Sequence, residues 1–320
     1  VLKRVAEVFR ADVDRFAGYM TEEMGKPVRE ARGEVEKAAW CAEHYAEHAE
    51  GYLATEVIES DATRSYVQYL PLGPVLGILP WNAPFWLALR FAAPTLMAGN
   101  TGVVKHDPHV PGCGLALEEA FREAGAPEGV YTNLPLETPQ VEAVIRDERV
   151  RAVSFTGSDR AGAIVAATAA FEIKKSVLEL GGSDPAIVLA DADLPAAADA
   201  IALSRIINAG QSCIASKRIL VEGAVHDEFV ELLRERLAKL VVGDPRDEGT
   251  DIGPIARAGL RDELHRQVRE TVAAGAQCVL GGEMPEGPGW FYPVTLLVGV
   301  EPGMTAACEE TFGPVAAVLK

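Results

Sequence analysis

Apolar side chains recur at intervals of three and four through the first stretch of the chain: Val5, Val8, Phe9, Val13, Phe16 and Met20. That period places them on one face of a helix, which Gly25-Lys26-Pro27 ends. A second helix is expected over residues 28–52. From Thr63 the period changes. Residues 65–70 have strand composition and Pro71-Leu72-Gly73-Pro74 is a turn. The short uncharged run Val75–Leu79 suits a strand buried on both faces of a parallel sheet. A helix over 86–97, a strand over 101–105, a helix over 113–124, a short strand and helix, and a buried strand over 150–155 follow. After an alanine-rich helix and Gly181-Gly182 the alternation restarts. Strands are expected over 185–189, 218–221 and 277–280, and helices over 194–209, 226–241 and 257–274. Residues 316–320 read as an interrupted strand. This order of elements predicts an α/β protein with a mostly parallel sheet.

The chain has 320 residues, enough for two cores. The boundary is expected near Gly181-Gly182, with no repeat of fixed period. The helical pattern at the first residue is already under way and the last strand is interrupted, so the natural protein is expected to extend further at both ends.

The net charge is −17, with Lys and Arg scattered among the acids and no basic stripe. Nucleic acid and acidic membrane surfaces are therefore not expected as partners. No secretory signal opens the chain and no uncharged run reaches membrane-spanning length. Five cysteines, an odd number, show neither zinc-ligand spacing nor a disulfide framework. A reducing cytoplasm is the expected compartment and no metal site is expected.

Four short motifs carry candidate chemistry. In Asn208-Ala209-Gly210-Gln211-Ser212-Cys213, a cysteine follows a small glycine-containing turn at a helix end. Backbone donors there would favour a thiolate nucleophile, although an unpaired cysteine is more often a small buried hydrophobe. In Lys175–Gly182, Glu179 stands between leucines. Burial would raise its pKa and suit it to general-base work, against the commoner exposed strand-end glutamate. In Gly77–Pro84, two prolines stiffen a loop carrying Trp81 and Asn82. The Asn82 amide could donate to a developing oxyanion, or the loop is only a stiff turn with a packed tryptophan. In Glu309-Glu310-Thr311-Phe312-Gly313-Pro314, the acids could bind a ribose hydroxyl pair and the phenyl ring stack on another ring, unless this is simply a solvated loop.

Together, and in this order, the four motifs resemble the aldehyde dehydrogenase superfamily. The resemblance covers nearly the whole chain. It includes Thr21–Pro27, Ser154-Phe155-Thr156-Gly157-Ser158, Gly243-Asp244-Pro245 and Gly253-Pro254, with family-like spacings from Glu179 to Cys213 and from Asn82 to Lys105. The sequence holds no G-x-G-x-x-G. The resemblance implies a Rossmann-like cofactor domain (residues 1–52 and 72–182), an oligomerisation strand segment (53–71) and an α/β catalytic domain (183–320) whose remainder lies beyond this sequence. Gly157–Gly162 would open the helix whose N-terminus receives the cofactor pyrophosphate.

Carried onto these positions, the family mechanism makes Cys213 the nucleophile and gives the oxyanion to the Asn82 amide and the Cys213 N–H. Hydride passes to the nicotinamide, and Glu179 activates the water that hydrolyses the thioester. Trp81, Lys105, Gly157, Ser158, Gly162, Glu310 and Phe312 fall on cofactor-contacting positions. The cofactor implied is NAD or NADP. Pro108 stands where NAD-preferring members often have a glutamate that repels a 2′-phosphate, which leaves NADP open. Asp107 could replace that acid, and NAD is marginally preferred. Several segments look most like the bacterial succinate-semialdehyde dehydrogenase branch, including Lys105-His106-Asp107-Pro108. Arg90 falls where semialdehyde enzymes place a carboxylate-binding arginine, against the plain alternative of a helix-surface ion pair. Ile207 stands where some of them carry a second arginine. The resemblance further implies a homodimer or homotetramer. The rival readings are a coenzyme A-acylating dehydrogenase, which would generally lack Glu179, and a catalytically silent nucleotide-binding protein.

Overall fold

The computed structural model describes residues 1–320 and divides them into two units, residues 1–20 with 31–180 and residues 21–30 with 181–320. The amino-terminal pattern gives three helices: α1 (Leu2–Ala11), α2 (Val13–Met24) and α3 (Val28–Tyr52). A single first helix was expected, but Asp12 adopts a φ of −144° and interrupts it. In the first unit Phe9, Phe16 and Phe85 are fully buried and meet edge to face at centroid distances of 4.9–5.7 Å. Each such ring stabilises the core by about 2 kcal/mol.

After α3 comes an exposed antiparallel ribbon of β1 (Glu56–Ile58) and β2 (Ser65–Val67), with Val57 opposite Tyr66. The remaining elements of this unit are β3 (Pro74–Leu79), α4 (Pro84–Met97), β4 (Thr101–His106), α5 (Pro111–Glu123), β5 (Tyr131–Asn133), α6 (Val141–Arg146), β6 (Ala152–Thr156), α7 (Asp159–Phe171) and β7 (Lys175–Glu179). Their five strands form one sheet, all parallel, in the order β5-β4-β3-β6-β7. The chain starts at the central β3, winds outward to β5, then returns to β6 on the other side. This places a topological switch between β3 and β6, where open α/β sheets bind ligands beyond their carboxyl ends. Leu76, Val153 and Phe155 pack with Val165 and Ala169 of α7. Gly77 lets the Phe91 ring of α4 lie on β3, since a Cβ there would sit 2.8 Å from the ring.

The second unit contains β8 (Pro185–Val188), α8 (Leu194–Ile206), β9 (Arg218–Val221), α9 (His226–Leu237), α10 (Ala258–Ala273), β10 (Gln277–Leu280), β11 (Thr295–Val298), α11 (Thr305–Cys308) and β12 (Val315–Leu319). Its sheet has the order β10-β11-β12-β9-β8, and only β10 is antiparallel to its neighbour. The terminal strand β12 is buried along its whole length at the centre of this sheet. One face packs on α8 and α9 through Ile201, Phe229, Leu233 and Val318, the other on α10 through Leu264, Val268 and Leu319.

Residues 21–30, which the resemblance placed in the cofactor domain, belong with the second unit. The Val28 N–H donates to the Pro245 carbonyl at 2.8 Å, and Arg29 pairs with Asp251 at 2.8 Å. At Gly253 a Cβ would lie 2.0 Å from the Gly25 carbonyl oxygen. The glycine-proline motifs at 243–245 and 253–254 are thus joints of close backbone approach. No helix is long and apolar enough to cross a membrane.

Candidate active site

The first unit gathers candidate residues at the carboxyl edge of its parallel sheet. Strand β3 leads into Trp81 and Asn82, β4 ends with Lys105 and His106, β6 leads into Gly157 and Ser158, and β7 ends at Glu179. The register puts Lys105, Ile78, Phe155 and Leu178 in one row, with Thr156 and Glu179 paired one residue further along. Trp81 is buried and stands edge-on to the His109 ring at 6.4 Å. Asn82 is half-buried. The helix behind it, α4, has no side-chain cap of its own. Buried Glu34, on α3, supplies one, accepting from the N–H groups of Phe85 (2.9 Å) and Trp86 (3.1 Å). Nothing local in the sequence marks Glu34, whose partners lie far along the chain.

Lys105 is buried, and desolvation lowers its proton affinity against the opposing pull of Asp107 and Glu137. Ser158 caps α7, accepting from the Ala161 N–H at 3.4 Å. Gly157 and Gly162 have no room for side chains. Added Cβ atoms would lie 2.7 Å from the Phe155 ring and 2.5 Å from Leu180. Bare backbone at a helix N-terminus beside the switch point fits an anionic diphosphate. The residues present therefore suit a dinucleotide.

Glu179 departs from the expectation of a buried carboxyl. Strand β7 is the edge of its sheet, and the Glu179 side chain is about half exposed (52%). Its Oε2 pairs with Arg90 Nη2 at 3.2 Å. Arg90 thus makes the ion pair foreseen as its plain alternative, and its partner is the carboxylate assigned as base.

In the second unit, candidate residues lie at the amino edge of the sheet, on the loops that enter β9 and β12. Helix α8 was expected to reach Ala209 but ends at Ile206, because Asn208 (φ 55°) and Ala209 (φ 54°) turn into the left-handed region, followed by Gly210 (φ 72°). A left-handed alanine is strained by roughly 1–2 kcal/mol. Glu30 steadies this turn by accepting from the Asn208 N–H at 2.7 Å. Cys213 follows, partly exposed. At Gly210 a Cβ would lie 2.2 Å from the Gly313 carbonyl oxygen, which brings the turn before Cys213 against the loop of Glu310 and Phe312.

Two buried cations bind these loops together. Arg205 Nη2 donates to the carbonyls of Gly210 (2.7 Å), Gly313 (2.9 Å) and Thr311 (3.3 Å). Burial pushes its proton affinity down to about 10, which leaves it charged at neutral pH. Lys217, wholly buried, pairs with Glu310 Oε1 at 3.1 Å. Glu310 Oε2 fits because position 181 is glycine, where a Cβ would be 2.3 Å away. Phe312 is half-buried, while Glu309 turns aside to Arg266 at 2.6 Å and Gln267 at 3.0 Å. Sequence reasoning missed Glu30, Glu34, Arg205 and Lys217, all of which act on backbone groups.

Comparison with known proteins supports the same reading. A Synechocystis protein named probable succinate-semialdehyde dehydrogenase (NADP(+)) is 47% identical over 98% of this chain and 69% of its own length. Succinate semialdehyde dehydrogenase (NAD(P)+) of Escherichia coli is 46% identical over 99% of this chain and 69% of its own. The crystal structure of succinic semialdehyde dehydrogenase from Streptococcus pyogenes with NADP+ superposes with a TM-score of 0.96 at 38% identity. That match covers 99% of this chain and 70% of the other. The model of the aldehyde dehydrogenase family matches residues 1–320, and the chain belongs to that family.

Proposed function

We propose that the chain oxidises succinate semialdehyde to succinate, with NADP as the hydride acceptor. The family makes it an oxidoreductase that acts on aldehydes. The substrate reading is carried by the relatives named for succinate semialdehyde, and Arg90, which pairs with the Glu179 carboxylate at 3.2 Å, is the guanidinium available to the substrate. A terminal carboxylate on the substrate is the same ligand. With Ile207 in place of a second arginine, recognition rests on this one guanidinium.

In this reading Cys213 adds to the aldehyde carbon, giving a thiohemiacetal and, after oxidation, a thioester. The Asn82 amide and the Cys213 N–H are donors for the oxyanion. Glu179 takes a proton from the water that hydrolyses the thioester. Lys105, Gly157, Ser158, Gly162, Glu310 and Phe312 bind the cofactor, and Trp81 flanks it. The marginal preference for NAD shifts to NADP, because the relatives are named for NADP(+) or NAD(P)+ and Pro108 supplies no acid against a 2′-phosphate. The first unit is assigned as the cofactor domain and the second as the catalytic domain.

The β1–β2 ribbon is assigned to subunit contact, since Val57, Ile58, Tyr66 and Val67 are all exposed on it. Five free thiols fit a reducing cytoplasm.

The test is to supply succinate semialdehyde with NADP or NAD, follow the absorbance of reduced cofactor, and run Cys213→Ala in parallel. Turnover that vanishes in the variant supports the reading. Oxidation of other aldehydes but not this one removes the substrate assignment and leaves the family.

A further inference from the structure

The loops before β9 and β12 meet through one ammonium group. Lys217 has no exposed surface, and its Nζ donates to the carbonyls of Ser212 (2.9 Å) and Cys213 (2.8 Å) while pairing with Glu310 Oε1 at 3.1 Å. Its hydrogen bonds end on backbone carbonyls, the third being Ala215 at 3.5 Å, and the Glu310 carboxylate adds the ion pair. Burial pushes the Lys217 proton affinity below the ordinary lysine value, and Glu310 opposes that push. A buried charge of this kind keeps its partners firmly, because losing one exposes it to the full desolvation penalty.

The Ser212 carbonyl belongs to the same planar trans peptide as the Cys213 N–H, so the two point in opposite directions. Holding the carbonyl therefore aims the N–H. A cation on the carbonyl also polarises the amide and strengthens its donor. We propose that Lys217 is a positioning residue: it fixes the Ser212–Cys213 peptide so that the Cys213 N–H faces the developing oxyanion, and its contact with Glu310 ties that aim to cofactor occupancy. The proposal rests on the assignment of Cys213 as nucleophile and Glu310 as cofactor ligand, and goes beyond it in giving Lys217 a role.

Two reactions of Cys213 separate this role from general damage. Acylation by p-nitrophenyl acetate builds an oxyanion, whereas alkylation by iodoacetamide does not. Neither reaction uses the aldehyde or needs hydride transfer, so both remain readable if the proposed substrate is wrong. In Lys217→Met, ester acylation should fall roughly 30-fold, short of the 10²–10³ loss for deleting such a donor outright. Alkylation should stay within about 3-fold of wild type, because no oxyanion forms in it. Any change that NADP causes in the wild-type ester rate should be absent from the variant. A thermal melt shows whether Lys217→Met folds. If it does not, Glu310→Gln, which weakens only the far anchor of the ammonium, should show the same selective fall at smaller size. Equal falls in both reactions, or an unchanged ester rate in the folded variant, overturn the proposal. A wild type that no ester acylates at Cys213 overturns it together with the nucleophile assignment.

Discussion

Arg90 Nη2 lies 3.2 Å from Glu179 Oε2, which joins the middle of α4 to the last residue of β7. Both side chains are well exposed, so the pair contributes only about 0.5 kcal/mol to stability. Its interest is chemical, because in the proposed function a substrate carboxylate at Arg90 competes for the guanidinium and releases Glu179. Arg90→Met should raise KM for succinate semialdehyde about 30-fold, the size of one charge-assisted contact near 2 kcal/mol. The uncharged propanal should change by less than about 3-fold, having no carboxylate for the arginine to hold. The melting temperature should move by no more than about 2 °C. Equal losses for both aldehydes would mean that Arg90 supports the fold and not the substrate.

Cofactor choice is placed at the end of β4. Pro108 is exposed just past buried Lys105, and no glutamate stands there to repel a 2′-phosphate. Pro108→Glu should weaken NADP by at least about 10-fold, or roughly 1.4 kcal/mol, and leave NAD within a factor of about 2, since only the 2′-phosphate meets the new charge. Titration of cofactor against tryptophan fluorescence measures both. A parallel loss of the two cofactors would place the 2′-phosphate elsewhere.

The parallel strands of the first sheet were legible because burial on both faces leaves nothing but an apolar run, as in Val75–Leu79. Helix α3 was legible to its ends because Pro27 fixes where it starts and the strand pattern fixes where it must be over. Strand β11 was not, since a threonine and three apolar residues after a glycine- and proline-rich stretch have no period to show. The burial expected of Glu179 failed for a topological reason: flanking leucines suggest a covered strand, but β7 is an edge, and edges are set by sheet order. Arg205 was invisible because its hydrogen bonds end on carbonyl oxygens, which every residue has, and Lys217 because the carboxylate it pairs with lies far along the chain.

The turn before Cys213 holds two neighbouring positions with opposite demands. At Ala209 the left-handed backbone favours glycine by roughly 1–2 kcal/mol, while glycine loses about 0.5–1 kcal/mol through the entropy of the unfolded chain. Ala209→Gly should therefore be neutral or stabilising by about 0.5 kcal/mol in urea unfolding. Gly210→Ala should destabilise by at least about 2 kcal/mol, because its Cβ would meet the Gly313 carbonyl oxygen at 2.2 Å. A destabilised Ala209→Gly would show that the turn is not strained.

His106 gives the first unit an acid-sensitive core. It is buried at the end of β4 with both ring nitrogens lacking hydrogen-bond partners, and burial, with nearby Lys105 second, pushes its pKa down to about 4. In the unfolded chain the ring titrates near 6.5. Above that value neither state binds the proton, so stability is independent of this group. Between 6.5 and 4 the unfolded state takes up a proton that the folded state refuses, so stability is lost as pH falls. Below 4 both states are protonated and the loss levels off. From pH 7 to pH 5 the linkage amounts to about 2 kcal/mol. His106→Gln, polar and non-titrating, should remove that slope. Urea unfolding of both proteins at pH 7 and pH 5 measures it, and equal pH dependence would mean that the ring is protonated in the folded state or that another group carries the acid sensitivity.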